Sequence, residues 1–192
     1  MAVAFAEVVR QTLAEAARLH GEAMPAAEAT AAAAEAMIAA LRGGGRILAC
    51  GNGGSASDAQ HFAAELVGRF ERERAALAAI ALTTDTSIVT AVANDYDFAR
   101  VFARQVEALG READVLLGIS TSGGSANVVA AFEAAKAGGL TTVALTGRDG
   151  GAAGAAADIH INVPAASTAR VQEVHRTLLH ALCALIEREL YA

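Results

Sequence analysis

The sequence predicts an α/β fold with three layers, α/β/α, whose middle layer is a parallel, doubly wound sheet of five strands. From residue 46 onward, short apolar runs alternate with segments of helical periodicity. The apolar runs are continuous rather than alternating, which is typical of strands buried on both faces. An alternation of strands and helices favours right-handed crossovers and therefore one parallel sheet. The strands are expected at 46–50, 77–82, 114–119, 140–145 and 158–163.

Two alanine-rich helices are predicted ahead of the first strand, at 3–20 and 26–42, and the glycines at 43–45 end the second helix. A chain of 192 residues has the length of one domain, so we treat 1–192 as a single domain with 1–43 as a helical extension. The extension is expected either to cover the core or to pack against another subunit. The remaining helices are predicted at 55–69, 86–93, 98–108, 125–137 and 168–190, with a turn at 148–151.

The composition argues against several classes of function. Hydrophobic residues make up 54% of the chain and aromatic residues 4%, and the net charge is −6. No basic stripe is present, so no nucleic-acid partner is expected. No apolar run is long enough to span a membrane, and the N-terminus lacks the basic region of a signal peptide, so we expect a cytoplasmic protein without a membrane partner. Cys50 and Cys183 lack metal or redox spacing and are expected to be buried thiols in a reducing compartment.

The tetrapeptide Gly-Gly-Ser-Ala occurs twice, at 53–56 and 123–126, each time between a predicted strand and a predicted helix. Helix N-termini that follow such glycines bind anions, because their N–H groups lack partners and the helix dipole is positive there. Ligands of doubly wound sheets bind at the carboxyl ends of the strands, where both loops are expected. Ser55 and Ser125 are expected to begin their helices as N-cap residues.

The second loop is unusually rich in hydroxyl groups, which belong to Ser120, Thr121, Ser122 and Ser125. This number exceeds what helix capping requires. The first loop also satisfies the dinucleotide pattern of glycines, but the nearest acidic residue at the end of the second predicted strand is Asp85, 34 residues after Gly51 instead of about 20. Neither loop contains a lysine, which argues against a nucleoside triphosphate. A phosphorylated small metabolite is therefore the expected ligand.

Polar side chains recur on two helices that are otherwise apolar. His61 and Glu65 are one turn apart on the helix that follows the first glycine loop, and Gln172 and His180 lie two turns apart on the last helix. Histidine and carboxylate side chains can act as an acid–base pair or can bind a divalent metal ion. The spacing leaves both roles open.

Several stretches of the chain together resemble one known family. The longest is 50–70, Cys-Gly-Asn-Gly-Gly-Ser-Ala-Ser-Asp-Ala-Gln-His-Phe-Ala-Ala-Glu-Leu-Val-Gly-Arg-Phe. Further matching stretches follow in order at 82–87, 93–96, 101–106, 118–123, 143–147 and 168–175. They are similar to the bacterial phosphoheptose isomerases, members of the SIS (sugar isomerase) domain superfamily, whose fold is flavodoxin-like. The resemblance covers nearly the whole chain.

The resemblance implies a ketose–aldose isomerase that interconverts sedoheptulose 7-phosphate and D-glycero-D-manno-heptose 7-phosphate for lipopolysaccharide or other surface glycans. It implies Glu65 as the general base and His180 as its partner acid, in a homotetramer whose sites are shared between subunits. Some members bind one zinc ion, and the implied ligands are His61, Glu65, Gln172 and His180. The implied phosphate contacts are Ser55, Ser120, Ser122 and Ser125. The implied sugar contacts are Asn52, Gly53, Gly54, Glu65, Asn94, Asp95, Thr121 and Gln172, with Arg69 nearby.

This chain departs from the family at two places. It has Gly124 where asparagine is common, which is expected to loosen the serine loop, and alanines within 74–80 where prolines are common, which affects loop rigidity only. Two other interpretations compete: a non-enzymatic SIS-domain regulator that binds the replication initiator protein, and a SIS domain that only senses a sugar phosphate. The regulator lacks an acid–base pair, so the presence of both Glu65 and His180 favours an enzyme.

Overall fold

A sheet of five parallel strands forms the middle layer of the structure, a computed structural model that describes residues 4–191. The strands are β1 (Ile47–Gly51), β2 (Ala79–Ala81), β3 (Val115–Ser120), β4 (Thr141–Gly147) and β5 (Ile159–Val163). Their spatial order is β2-β1-β3-β4-β5, and each neighbouring pair is parallel. This is the flavodoxin-like order, so the predicted fold class is confirmed.

Helices cover both faces of the sheet. They are α1 (Phe5–Glu22), α2 (Ala27–Arg42), α3 (Gly54–Val67), α4 (Thr86–Asp95), α5 (Ala103–Leu109), α6 (Ala126–Ala137), α7 (Gly151–Ala156) and α8 (Thr168–Leu190). Short 3₁₀ turns occupy Met24–Ala26 and Phe98–Arg100. Within residues 4–191, none of these helices has the length and apolar character needed to cross a membrane.

Successive strand residues contribute to two separate apolar layers, as the strand pleat requires. Leu117 of β3 packs with Phe62 of α3 and Leu182 of α8 on one face. Its neighbour Leu116 packs with Phe132 of α6 on the other face. Helices α3 and α8 therefore lie on the same side of the sheet, which brings their polar side chains close together.

The two N-terminal helices have different environments. Helix α2 belongs to the core, since Met37 is fully buried against the sheet. Helix α1 buries only Leu19 among its described residues, whereas Phe5, Val9 and Leu13 are 91%, 57% and 64% exposed. The N-terminal helices were expected either to cover the core or to pack against another subunit. Helix α2 covers the core, whereas α1 has an apolar face that this chain leaves uncovered.

The structure corrects three local predictions. The turn predicted at 148–151 runs into helix α7, which the sequence pattern missed because its two glycines disfavour a helix. The helix predicted at 98–108 is interrupted, because Val101 and Phe102 turn into the core between the 3₁₀ turn and α5. The strand predicted at 77–82 is shorter, as only Ala79–Ala81 pair with β1.

Both cysteines are buried and free, as predicted. Burial raises the pKa of the Cys50 thiol to about 12. Burial, together with the charges of Glu65 and Glu187, raises the pKa of the Cys183 thiol to about 12 as well. Both side chains therefore act as small apolar core residues.

His175 is a buried histidine on α8 that contacts the sheet. Its Nε2 donates a hydrogen bond of 2.9 Å to the carbonyl of Thr146, and its Nδ1 has no partner among the described residues. Burial lowers the pKa of His175, although the Thr146 carbonyl and the charge of Asp58 act in the opposite direction. The folded protein therefore favours the neutral imidazole.

We predict that His175 makes the protein less stable as the pH falls below about 6.5, the ordinary pKa of histidine. Above that pH the side chain is neutral in both states and contributes no pH dependence. Below it the unfolded chain binds the proton first, so the unfolding free energy falls until the lower folded pKa is reached, by at most about 1.4 kcal/mol per pH unit. The variant His175→Gln keeps an N–H donor and should show a shallower slope in urea unfolding at pH 5–6.5. An identical slope in both proteins would contradict this prediction.

Candidate active site

The serine loop, residues 120–125, joins β3 to α6 and gathers hydroxyl groups at a helix N-terminus. The Oγ atom of Ser120 lies 2.9 Å from Oγ of Ser125 and 3.5 Å from Oγ of Ser122. Ser125 occupies the N-cap position, as predicted, but its side chain accepts no capping hydrogen bond. The hydroxyl cluster and the open helix end therefore face the same place, which suits an anion.

Gly123 fixes the backbone of the serine loop against the loop that follows β4. Its φ angle is +66°, and a β-carbon there would collide with the carbonyl of Gly150. The carbonyl of Gly123 accepts a hydrogen bond of 2.8 Å from the N–H of Ala153. Only glycine permits this close approach, so the shape of the loop depends on Gly123.

The first glycine loop begins α3 in a different way from that predicted. Gly53, with a φ angle of +55°, is the N-cap residue, and Ser55 is the second residue of the helix and is buried. A β-carbon on Gly54 would collide with the side-chain amide of Gln172, which reaches the loop from α8. The structure therefore places Gln172 against Gly54.

A pair of side-chain amides ties the two loops together. Asn52 Nδ2 donates to Asn127 Oδ1, and Asn127 Nδ2 donates to Asn52 Oδ1, both at 2.9 Å. Asn127 is buried at the second position of α6 and was not among the predicted site residues. A polar side chain at a helix start gave no signal that its partner lay 75 residues away in sequence.

Helices α3 and α8 bring His61 into contact with both the predicted base, Glu65, and the predicted acid, His180. His61 Nε2 lies 2.8 Å from His180 Nε2 and 3.4 Å from Glu65 Oε1. The two imidazole rings meet at an angle of 60° with centroids 5.1 Å apart. One of the two Nε2 atoms must carry a proton in this contact. The cluster therefore links α3 with α8, and a carboxylate lies one turn from it.

An open cavity of about 590 Å³ lies beside this cluster. Gly54, Gln172 and His180 line it, together with the ion pair of Asp58 with Arg176. The cavity has room for a small metabolite, and it connects the first glycine loop with the histidine cluster.

The donor set of the implied zinc site suits that metal only in part. The nitrogens of His61 and His180 and the carboxylate of Glu65 are typical zinc donors. Two nitrogens on one tetrahedral zinc ion lie about 3.3 Å apart, so the 2.8 Å between these imidazoles is a hydrogen-bond distance. Accordingly, within 4–191 no three His, Cys, Asp or Glu side chains form a ready metal-binding group. The donors fit zinc by their chemistry, and the two rings would need to separate slightly to bind it.

Three implied sugar contacts are exposed in the single chain. Asn94 and Asp95 end α4, are exposed, and hydrogen-bond to each other at 2.8 Å. Arg69 is exposed and pairs with Glu73. Among the described residues, no hydrogen bond links any of the three to the glycine loops. Thr121 lies within the serine loop and is partly exposed.

Most of the chain matches one known protein family. The SIS domain family matches residues 9–147. The chain is 60% identical over 161 residues to the phosphoheptose isomerase of Methylibium petroleiphilum, covering 82% of this chain and 80% of that protein.

The chain belongs to the phosphoheptose isomerase family of SIS-domain proteins.

Solved structures of this family share the whole architecture. The phosphoheptose isomerase of Neisseria gonorrhoeae is 52% identical with a TM-score of 0.91, covering 96% of this chain and 100% of that one. The phosphoheptose isomerase of Francisella tularensis is 40% identical with the same TM-score, covering 97% and 100%. The site described above therefore lies in a fold typical of phosphoheptose isomerases.

Gly124, where the resemblance leads us to expect asparagine, sits in open space. The nearest atom to a β-carbon built there is Ser122 Oγ, at 3.8 Å. Its φ is not left-handed, so the backbone of this phosphoheptose isomerase family member would accept a side chain. The loosening expected from this glycine stays a prediction.

We predict that Asn127→Ala loosens the first glycine loop and lowers the unfolding free energy by about 1–3 kcal/mol, because it leaves the Asn52 amide without its partner. Hydrogen exchange of the N–H groups at 52–56 should become faster. The matched control is Thr142→Val, which removes two hydrogen bonds with Asp158 at the opposite end of β4. That control should lower stability without changing exchange at 52–56. Equal exchange in both variants would contradict the role assigned to the amide pair.

Proposed function

We propose that this chain interconverts sedoheptulose 7-phosphate and D-glycero-D-manno-heptose 7-phosphate in the cytoplasm, as an early step of heptose supply for surface glycans. The observation that carries the proposal is the contact of His61 with both Glu65 and His180, beside a cavity that Gly54 of the first glycine loop lines. A non-catalytic SIS-domain regulator would not need this cluster. Two free, buried cysteines are consistent with a reducing compartment.

The phosphate of the substrate is proposed to bind in the serine loop. The hydroxyls of Ser120, Ser122 and Ser125 can donate to its oxygens, and the open N-terminus of α6 adds N–H groups and a favourable dipole. Ser55 contributes from the first loop. Because neither loop contains a lysine, neutral donors supply this binding.

The reacting carbons are proposed to lie between α3 and α8. Glu65 takes the proton from C1 of the ketose while O2 gains a proton from His180, which gives an enediol. The O1 proton then leaves to His180, and C2 receives a proton from Glu65, which gives the aldehyde. Each transfer needs the base and the acid on neighbouring faces of the sugar, and the contact of His61 with both side chains is consistent with that arrangement.

One zinc ion per subunit is also proposed, held by His61, Glu65, Gln172 and His180. When bound, zinc would polarise the sugar oxygens as a Lewis acid. Zinc binding would weaken Glu65 as the general base, because a carboxylate that binds a metal is a weaker base. Glu65 therefore serves best as a base when its oxygen nearest the sugar stays free.

The site is proposed to be completed by a neighbouring subunit in a homotetramer. Asn94, Asp95 and Arg69 are exposed, and their side chains form no hydrogen bond with the glycine loops of their own chain, which supports a contribution to another subunit's site. Helix α1 offers an uncovered apolar face for the same assembly through Phe5, Val9 and Leu13.

We predict that light scattering at micromolar concentration gives about four times the chain mass of 19.4 kDa. Val9→Asp should weaken the assembly, because it places a charge in an apolar contact. Gln11→Asp is the matched control, since two residues along a helix lie on nearly opposite sides. A monomer for the parent protein, or equal masses for the two variants, would refute this assignment of the α1 face.

We predict that variants of the proposed acid–base pair change kcat, whereas a variant of the serine loop changes KM. Glu65→Gln and His180→Ala should lower kcat for sedoheptulose 7-phosphate by about 10²–10⁴-fold, since each removes a proton-transfer group, with little change in KM. Ser122→Ala should instead raise KM by about tenfold, through one lost hydrogen bond to phosphate, with kcat little changed. Steady-state kinetics measure both effects, and inorganic phosphate should compete with the substrate.

Two results would count against the proposed function. Turnover of folded Glu65→Gln near the parent rate would remove Glu65 as the base. A folded parent protein that binds the sugar phosphate without turning it over would favour the interpretation as a sensor.

A further inference from the structure

Arg74 and Glu187 form an enclosed ion pair close to the proposed acid–base pair. Their side chains are 0% and 3% exposed, and Arg74 Nε lies 3.0 Å from Glu187 Oε1. Arg74 belongs to the irregular segment 68–78, which joins α3 to β2. Glu187 lies on α8, two turns after His180. The pair therefore connects a loop with the helix that carries the proposed acid.

The carboxylate of Glu187 holds the start of this segment by its backbone. Its oxygens accept hydrogen bonds from the N–H groups of Phe70, Glu71 and Arg72, at 2.8, 3.0 and 3.0 Å. Burial alone would raise the pKa of Glu187, but these donors and Arg74 outweigh it, and the pKa lies below its ordinary value. The carboxylate is therefore charged and fully partnered.

The guanidinium of Arg74 forms hydrogen bonds with the end of α3. Its Nη2 donates to the carbonyl of Glu65 at 2.7 Å, and its Nη1 donates to the carbonyls of Leu66 and Gly68 at 2.7 and 3.2 Å. These carbonyls lie at the end of α3, where a helix has no internal donors left. A flat, forked guanidinium can reach several acceptors at once, which the single ammonium group of lysine cannot.

The ion pair thus links α3, which carries the proposed base, with α8, which carries the proposed acid. At one end Arg74 binds the backbone of Glu65 itself. At the other end Glu187 shares α8 with His180 and fixes Phe70, whose ring lies 5.4 Å from the His180 ring. Displacing either member would change both the separation of α3 and α8 and the surroundings of the His180 imidazole.

A buried ion pair need not add to the stability of a fold. Burying two charges is costly, and replacing a buried ion pair by apolar side chains is often neutral or stabilising. We propose that Arg74 and Glu187 are positioning residues, which set the distance and orientation of Glu65 and His180 for isomerisation. The inference rests on the proposed function, and neither residue is assigned a contact with the substrate.

The test compares Arg74→Lys and Glu187→Gln with the parent protein. Both variants should lower kcat for sedoheptulose 7-phosphate by about tenfold to a hundredfold, because small misplacements of reacting groups cost that much. KM should change by less than about twofold, since the serine loop is untouched. Glu189→Gln is the matched control. Glu189 lies on α8, as Glu187 does, but its ion pair with Arg42 of α2 is exposed. The kcat of this variant should equal the parent value.

A second readout does not depend on turnover. The imidazole resonances of His180, assigned in NMR spectra by comparison with His180→Gln, should shift in Arg74→Lys and Glu187→Gln and stay unchanged in Glu189→Gln. If the parent protein turns over no substrate, the proposed function fails, and the resonances alone decide whether the pair positions His180.

Unchanged kcat and unchanged His180 resonances in folded Arg74→Lys and Glu187→Gln would overturn the proposal. If those variants do not fold, Glu187→Asp decides, because it keeps a charged carboxylate and shortens the side chain that meets Arg74. A lower kcat with shifted His180 resonances in Glu187→Asp supports the proposal, and parent-like values overturn it.

Discussion

The parallel direction of all five strands is the constraint on which the candidate site depends. Because the strands run the same way, β1 and β3, which are neighbours, end at the same edge of the sheet. Each then continues through glycines into a helix, so two helix N-termini open side by side. The amide pair of Asn52 and Asn127 locks the loops to each other. A single phosphorylated ligand can therefore contact both.

Helix α8 supplies polar side chains that the loops at the sheet edge do not contain. Along one helix, Gln172 reaches the first glycine loop, His180 meets His61 of α3, and Glu187 anchors the segment that follows α3. The apolar packing of α8 against α3 and the sheet fixes these three contacts together. The buried Arg74–Glu187 pair ties the segment 68–78 to α8.

The sheet and its loops were predictable because continuous apolar runs and paired glycine motifs leave a strong local pattern. The side chains of the site followed mainly from the family resemblance, since helical spacing left the roles of His61 and Glu65 open. Asn127, Arg74 and Glu187 escaped prediction because their partners are distant in sequence. Arg74 also lies in a run of alternating charges, which ordinarily indicates a solvated surface. The N-cap assignment of Ser55 failed because Gly53, in a left-handed conformation, takes that position.

In the proposed function, the two glycine loops hold one sugar phosphate with its reacting carbons at α3 and α8. The most direct test of this arrangement is a crystal structure of Glu65→Gln, which should bind sedoheptulose 7-phosphate without turning it over. We expect the phosphate within hydrogen-bond distance of Ser120, Ser122 and Ser125, with C1 and C2 between residue 65 and His180. A phosphate bound outside the serine loop, or C1 and C2 pointing away from His180, would contradict it.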